Sequence, residues 1–393
     1  MMKRNLLRSR DPRSEERVGF IELFFDLVFV FAVTQVSHAI ILHPDPLGFA
    51  QAGMLFLAIW WVWVDTAWVT NWLDVRHIPV RLLLFALMGI GMVMAISLPD
   101  AFGGRGLLFA ITYLSMQLGR HIFMILALRL HSRDNYWNFV RIFLWSLAEA
   151  PFWIAGALSE DVATRMMLWG VALAIVSTGP VATFWVPGLG RSETRTWDVD
   201  GHHFSERASL FIIIALGESV LLTGASFAES AWNAASIAAF VSAFVATIAM
   251  WWLYFDVGAE RAAHKLAQDK DPGRMARLAY TYFHIPIVVG IILAAASDEM
   301  AVRHPAGHAG PAAVAALLGG PALYLFGNLI FKRTSATYFP LSHLVGLGLL
   351  AAIAPFGHHF SPLALSLAAS VVLVLVAGWE LVSLRETRES LRT

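Results

Sequence analysis

The chain has 393 residues, of which 58% are hydrophobic and 14% charged, and its formal net charge is zero. An ordinary soluble domain carries roughly 25% charged residues, so a chain with a mean hydropathy of +0.64 has more apolar side chain than a soluble fold can hide. Zero net charge leaves no electrostatic footprint for nucleic acid, and the absence of cysteine excludes disulfide and thiolate chemistry.

A bilayer core about 30 Å thick needs roughly 20 apolar residues per helix. The sequence supplies twelve such stretches, at 20–40, 49–70, 80–99, 106–128, 139–158, 164–187, 207–228, 233–256, 279–297, 312–331, 339–357 and 361–383. This segmentation places all but four of the 28 basic residues on the side of the N-terminus, the exceptions being Arg105, Arg165 and Arg303 opposite and Arg120 inside a span. Cytoplasmic loops collect Lys and Arg, so both termini are expected in the cytoplasm and the chain in the inner membrane. The basic start followed by an apolar run also fits a cleaved signal peptide. Glu22 and Asp26 interrupt the apolar region and no small-x-small site follows, so the first helix is expected to be retained.

In chain order, the first helix carries Glu22 and Asp26 at i and i+4, on one face, where they can share a partner. A carboxylate deep in a membrane helix costs about 2.5–3.5 kcal/mol on insertion scales, which makes such acids functional candidates. The second helix carries Trp60-Trp61-Val62-Trp63-Val64-Asp65, with Asp65 near its cytoplasmic end, at a depth similar to that of Glu22 and Asp26. Arg120, beside His121, is the one base firmly inside a span, and Glu149 lies mid-span in the fifth helix. Gly179-Pro180 interrupts the sixth helix, a feature that can line a transport site.

The polar stretch 188–205 reads as a linker, and its His202-His203 pair as exposed. Beyond it, Glu218 sits deep in the seventh helix, and the eighth ends Trp251-Trp252-Leu253-Tyr254-Phe255-Asp256, in the pattern of the second. His284, followed by Pro286, and His343 sit a few residues into the ninth and eleventh helices, where they serve as relay groups or as packing histidines. Near the cytoplasmic face Arg17, Arg76, Arg81, Arg207 and Arg277 are placed to snorkel toward Glu22, Asp65 or Asp256.

The two Trp-Trp patterns, together with Glu16-Arg17 and Glu206-Arg207, indicate duplication. Six helices per half bring both repeats in from the same side, giving parallel repeats. The expected architecture is an all-α, polytopic membrane protein. A basic cytoplasmic segment at 1–19 leads into a six-helix repeat at 20–187. The linker at 188–205, a second repeat at 206–383 and a tail at 384–393 complete it.

The segments IELFFDLVFVFAVTQVSH and SERASLFIIIALGESVL resemble the low temperature requirement protein A family of bacterial membrane proteins, over nearly the whole chain. The resemblance picks out Glu22, Phe24, Phe25 and Asp26 in one half and Glu206, Arg207, Gly217, Glu218 and Ser219 in the other. It implies the membrane architecture of a family named for a growth phenotype in the cold, rather than a defined reaction. A looser similarity is to two-repeat, six-helix potassium and proton channels of the endolysosomal type. These open each repeat with a base and Phe-Ser-Asp, where this chain has Arg17 before Phe24-Phe25-Asp26.

The expected function is a channel or secondary transporter for a cation, proton or small solute. Asp26 and Glu218 are its charged centres, Glu22, Asp65 and Asp256 support them, and Arg17, Arg207, Arg120, Glu149, His284 and His343 are supporting or relay groups. A non-transporting scaffold or stress-response protein, whose acids bind its own bases through pairs such as Arg120 with Glu149, is the alternative. An intramembrane enzyme using Asp26 and Asp65 is the third. It lacks an HExxH, GxSxG or Walker motif, so no catalytic residue, cofactor or metal is assigned. Lipids are the expected partners, with a homo-oligomer compatible and nucleic acid excluded.

Overall fold

The computed structural model describes residues 5–9, 18–197, 199–335 and 339–392, and among the described residues it contains helices and two isolated bridges but no strand. The helices are α1 (Phe20–Leu42), α2 (Pro46–Trp72), α3 (Ile78–Ser97), α4 (Gly106–Leu128), α5 (Arg133–Leu158), α6 (Val162–Val181), α7 (Gly201–Glu229) and α8 (Ala234–Phe255). Then follow α9 (Gly258–Gln268), α10 (Pro272–Ala276), α11 (His284–Arg303), α12 (Pro311–Ser335), α13 (Leu341–Ile353), α14 (Pro362–Ser383) and α15 (Arg385–Arg392). Among the described residues, twelve helical stretches are long and apolar enough to cross a membrane, matching the number of predicted spans.

Local chemistry sets several helix starts. Asp161 accepts the Thr164 N–H ahead of α6, Asn233 accepts from Ala235 and Ser236 ahead of α8, and Ser361 precedes Pro362 at the start of α14. Several boundaries depart from the sequence reading: α5 starts at Arg133 rather than residue 139 and α7 at Gly201 rather than 207, and two further changes reshape the sixth and ninth spans. The sixth span ends at Val181 rather than residue 187, because the chain turns after Gly179-Pro180 and Thr183 and Phe184 take positive φ of 52° and 49°. The ninth span begins earlier, with α10, and passes through a π-helical stretch at Arg277–Tyr282 before α11 resumes at His284.

Two compact units divide the chain. The first comprises Met1–Val36, Gln51–Arg207 and Ala267–Arg277. Within it α3, α4, α5 and α6 pack as consecutive antiparallel neighbours. Its core is aromatic: Tyr113 and Trp153 have ring centroids 4.5 Å apart, Trp153 and Trp169 5.2 Å, and Phe109 and Trp169 5.3 Å. Trp60, Trp61, Trp63, Trp153 and Trp169 are all buried, so these indoles are packing residues, whereas Trp185 is half exposed. The strip Asn5–Ser9 lies against the end of α2, with the Arg8 N–H donating to the Trp72 carbonyl at 2.8 Å and the Asp74 N–H to Leu6 at 2.9 Å.

The second unit comprises Ser37–Ala50, Ala208–Leu266 and Leu278–Thr393. Its tightest pairing is α11 on α12. A Cβ at Gly290 would lie 2.4 Å from the Tyr324 backbone nitrogen, and one at Gly320 2.6 Å from that of Ala294, so the two backbones touch where side chains are missing.

Candidate functional site

The first unit holds two buried polar clusters. In one, α1 and the first turns of α7 form a two-rung ladder. Glu22 and Asp26 stand at i and i+4 on α1, and His203 and Arg207 at i and i+4 on α7. The Arg207 guanidinium donates to Asp26 Oδ1 at 2.8 Å, with Asp26 fully buried. Trp63 Nε1–H donates to the same oxygen at 2.9 Å, and the Arg207 guanidinium carbon lies 5.8 Å from the Trp63 ring centre.

On the other rung, Glu22 Oε1 lies 3.0 Å from His203 Nε2, while Oε2 accepts from Arg8 at 3.2 Å and from the Gly19 N–H at 2.8 Å. The last contact also caps α1. Asn71 braces the far side of the ring: its Oδ1 accepts from the Asp200 N–H, its Nδ2 donates to the Asp200 carbonyl, and that Nδ2 faces His203 Nδ1 at 3.3 Å. His203 Nε2 lies 3.0 Å from both Glu22 Oε1 and the Arg8 guanidinium, so the three groups meet at one point.

The second cluster runs along one face of α4. Tyr113, Gln117 and Arg120, at i, i+4 and i+7, are fully buried and project a polar edge about 10 Å long between α2 and α5. At one end, Glu149 Oε2 accepts from the Tyr113 hydroxyl at 3.4 Å and from Trp153 Nε1 at 3.3 Å, and Oε1 has no donor. In the middle, Gln117 Nε2 donates to the Tyr113 oxygen at 3.4 Å and to Asp65 Oδ2 at 3.1 Å. At the other end Arg120 reaches Asp65 Oδ2 at 3.2 Å, Thr66 Oγ1 at 2.9 Å and the Val62 carbonyl at 3.1 Å, and also donates to Gln117 Oε1. Asp65 is the partly open member of this chain, with its side chain 21% exposed.

These contacts correct several expected partners. Glu22 and Asp26 face the same helix but bind different groups on it. Arg120 pairs with Asp65, not with Glu149, because three α4 residues one turn apart set Gln117 and Tyr113 between them. Arg207 takes Asp26, Arg76 takes Asp74 at 2.8 Å, Arg81 donates to the Val75 carbonyl at 3.0 Å, and Arg277 donates to the Pro180 carbonyl. Arg17 lies outside the described residues. Arg120 is also not the sole embedded base, since Arg207 and Lys332 are buried within helices. His203 is buried rather than exposed, because α7 starts at Gly201 and absorbs the end of the expected linker.

In the second unit Glu218 is buried on α7, at 3% exposure. Asp256 ends α8 and is paired with Arg388 of α15. The two Trp-Trp patterns thus have unlike surroundings: Trp60 and Trp61 are buried and Asp65 sits inside its helix, whereas Trp251 is 44% exposed and Asp256 is a cap. His343 lies 3.3 Å from Glu380, which Lys332 holds at 2.6 Å. His284 Nδ1–H donates to the Ala279 carbonyl at 2.8 Å, released by the π-helical turn, and its Nε2 accepts from the Tyr254 hydroxyl at 2.7 Å. Both ring nitrogens are used, so His284 ties the end of α8 to the π-helical turn.

Arg8, His203, Tyr113 and Gln117 are site residues that the sequence reading did not single out. The i, i+4, i+7 spacing of Tyr113, Gln117 and Arg120 is the sequence signal for the α4 edge.

A relative from Rhizobium meliloti (strain 1021), itself uncharacterized, is 42% identical over 386 residues, which cover 97% of this chain and 93% of the relative. No solved structure matches the chain. The family description for the bacterial low temperature requirement A protein matches residues 17–378, which span the Glu22–Asp26 ladder and the α4 edge alike. Matched over most of its length, this multi-pass membrane protein belongs to the bacterial low temperature requirement A family.

Proposed function

We propose that the protein is a proton-coupled secondary transporter of the inner membrane, with both termini cytoplasmic. The observation that carries this reading is the buried chain from Asp65 through Gln117 and Tyr113 to Glu149, with Arg120 as its fixed positive charge. Buried hydrogen-bond networks of this kind act as one unit. A proton taken by Asp65 removes the charge that holds Arg120. The guanidinium and the Gln117 amide then re-pair, and the Tyr113 hydroxyl passes the change to Glu149. Gln117 donates in both directions, so its part is to switch hydrogen bonds rather than to hand on a proton. Two arrangements of one buried network provide the two-state element that coupling needs.

This reading moves the centre in the first unit from Asp26 to Asp65. Glu22 is held on both oxygens and Asp26 on Oδ1 by Arg207 and Trp63, with Oδ2 left without a donor among the described residues, so both are assigned as anchors of α1, while Glu218 is the carboxylate kept for the second unit. The test is proton flux in proteoliposomes under an imposed pH gradient, for wild type, Asp65→Asn and Glu149→Gln. Flux lost in both variants, with folding retained, is the expected result. Wild-type flux in both would overturn the reading.

A second reading, a membrane scaffold, draws on the pairing of Glu22, Asp26, Asp65, Asp256 and Glu380 with bases. It expects the exchange Asp26→Arg with Arg207→Asp to restore folding and cold growth together, with no flux in wild type.

A further inference from the structure

We propose that Asp298, with Ser242, Ser366 and Ser370, forms a binding site for a monovalent alkali cation in the second unit. The four side chains come from three helices, α11, α8 and α14, and each is at most 6% exposed. Ser242 Oγ lies 3.0 Å from Ser366 Oγ and 2.9 Å from Ser370 Oγ; Ser370 Oγ donates to the Ser242 carbonyl at 3.0 Å, and Ser366 Oγ lies 3.4 Å from Asp298 Oδ1. Some helical hydroxyls turn back to their own backbone, as those of Ser97, Ser115 and Ser297 do, and others turn to a side chain, as Ser146 and Ser342 do. These three serines turn to one another and toward a carboxylate.

The carboxylate itself supplies the second, independent observation. Among the described residues, the buried Asp298 Oδ2 has no hydrogen-bond donor and no base pairs with Asp298. A buried carboxylate without compensation is too costly to persist, so this one is neutralised either by a proton or by a bound cation, and the oxygen atoms gathered around it suit the cation. One carboxylate among neutral hydroxyl and carbonyl oxygens is an all-oxygen donor set of charge −1. A hard monovalent ion neutralises it, whereas a divalent ion would leave a net charge among apolar side chains.

A polar cavity of about 310 Å³ lies further along two of the same helices. Ser226, Glu229, Asn233, Ser236, Arg303 and His304 line it, where α8 begins and α11 ends. Ser236 stands six residues before Ser242 and Arg303 five after Asp298, about 8–9 Å of helix in each case.

Protons compete for the same carboxylate, and the other titratable groups on the packed elements are placed as follows. On α11, Glu299 is held by Arg303 at 2.8 Å, and Arg303 also meets Glu229 of α7 at 3.3 Å. Glu380 of α14 lies ten residues beyond Ser370 and binds Lys332 of α12, about 15 Å of helix away. Tyr324 of α12 donates to the Met250 carbonyl, eight residues beyond Ser242, and Asp256 is six residues further along that chain. His304 and His359 flank the ends of α11 and α14.

The site stands whether or not the chain moves protons, so its test is binding. The melting temperature of the detergent-purified full chain is measured in lithium, sodium and potassium chloride, with choline chloride holding ionic strength constant, at several pH values. The expected result is a melting temperature that rises with at least one alkali ion, with apparent affinity falling as pH is lowered. Asp298→Asn should weaken that ion by about tenfold or more, equivalent to about 1.4 kcal/mol. If that variant does not fold, Ser366→Ala and Ser370→Ala carry the test through the same loss of ion dependence. Equal melting temperatures in choline and every alkali chloride would overturn the site. So would a response to acid alone.

Discussion

Removing either member of the Asp26–Arg207 pair should destabilise the protein more than almost any other polar substitution in the first unit. The pair sits at 2.8 Å with side chains 0% and 1% exposed, so Asp26→Asn or Arg207→Gln strands a charge that neither water nor lipid can compensate. Breaking such a buried pair costs about 3–5 kcal/mol. Trp63→Phe keeps a ring under the guanidinium but removes one of the two hydrogen bonds on Asp26 Oδ1, a loss of about 1.5–3 kcal/mol for a bond to a charged group. The double variant Asp26→Asn/Arg207→Gln places two neutral amides where two charges stood and should lose no more than the worse single one. The assay is unfolding in mixed micelles with increasing denaturing detergent, followed by tryptophan fluorescence and scored as a double-mutant cycle. Additive single effects, or either single effect below about 1 kcal/mol, would refute the reasoning.

Other consequences follow from particular contacts. Gly290→Ala drives a methyl into the Tyr324 and Gly320 backbones and should cost about 1–3 kcal/mol, whereas Gly53→Ala, with open space around it, should be neutral; thermal melting of the two variants compares them. Lys332→Met leaves Glu380 buried beside His343 without a cation, and a loss of about 3–5 kcal/mol is expected in the same unfolding assay. Asp161 caps α6 at the surface, and the hydrogen bonds from the Thr164 hydroxyl and N–H hold its carboxyl below the usual aspartate range. A lowered folded-state value means that this contribution is present at neutral pH and lost as the pH falls through that value. The difference in melting temperature between wild type and Asp161→Ala should therefore shrink on acidification.

The twelve spans were legible because apolar length alone marks a membrane helix. The burial of Asp26 followed from its depth in α1. Its partner did not follow, because Arg207 is 181 residues away and competed in the sequence with four other bases near the same face. Arg8 was hidden among the basic residues of the N-terminal segment, where only the pairing of residues 6–8 with the end of α2 shows why it turns inward. His203 was masked by polar neighbours that read as linker, although Asp200, which accepts the His203 N–H, was a cap in plain view. Asp65 and Arg120 were each singled out, but sequence distance gives no preference between Asp65 and Glu149 as the partner of Arg120. The two Trp-Trp patterns are alike as strings and unlike as environments, since burial depends on the neighbours that each helix meets.

Tyr113→Phe tests the account most directly, because it deletes one hydroxyl while leaving the ring packed 4.5 Å from Trp153. The link between Gln117 and Glu149 passes through that oxygen. In proteoliposomes carrying equal amounts of folded protein, proton flux in this variant should fall about fivefold or more, the size of an ordinary coupling free energy, with its melting temperature little changed. Flux equal to that of wild type would contradict the claim that the α4 edge couples Asp65 to Glu149.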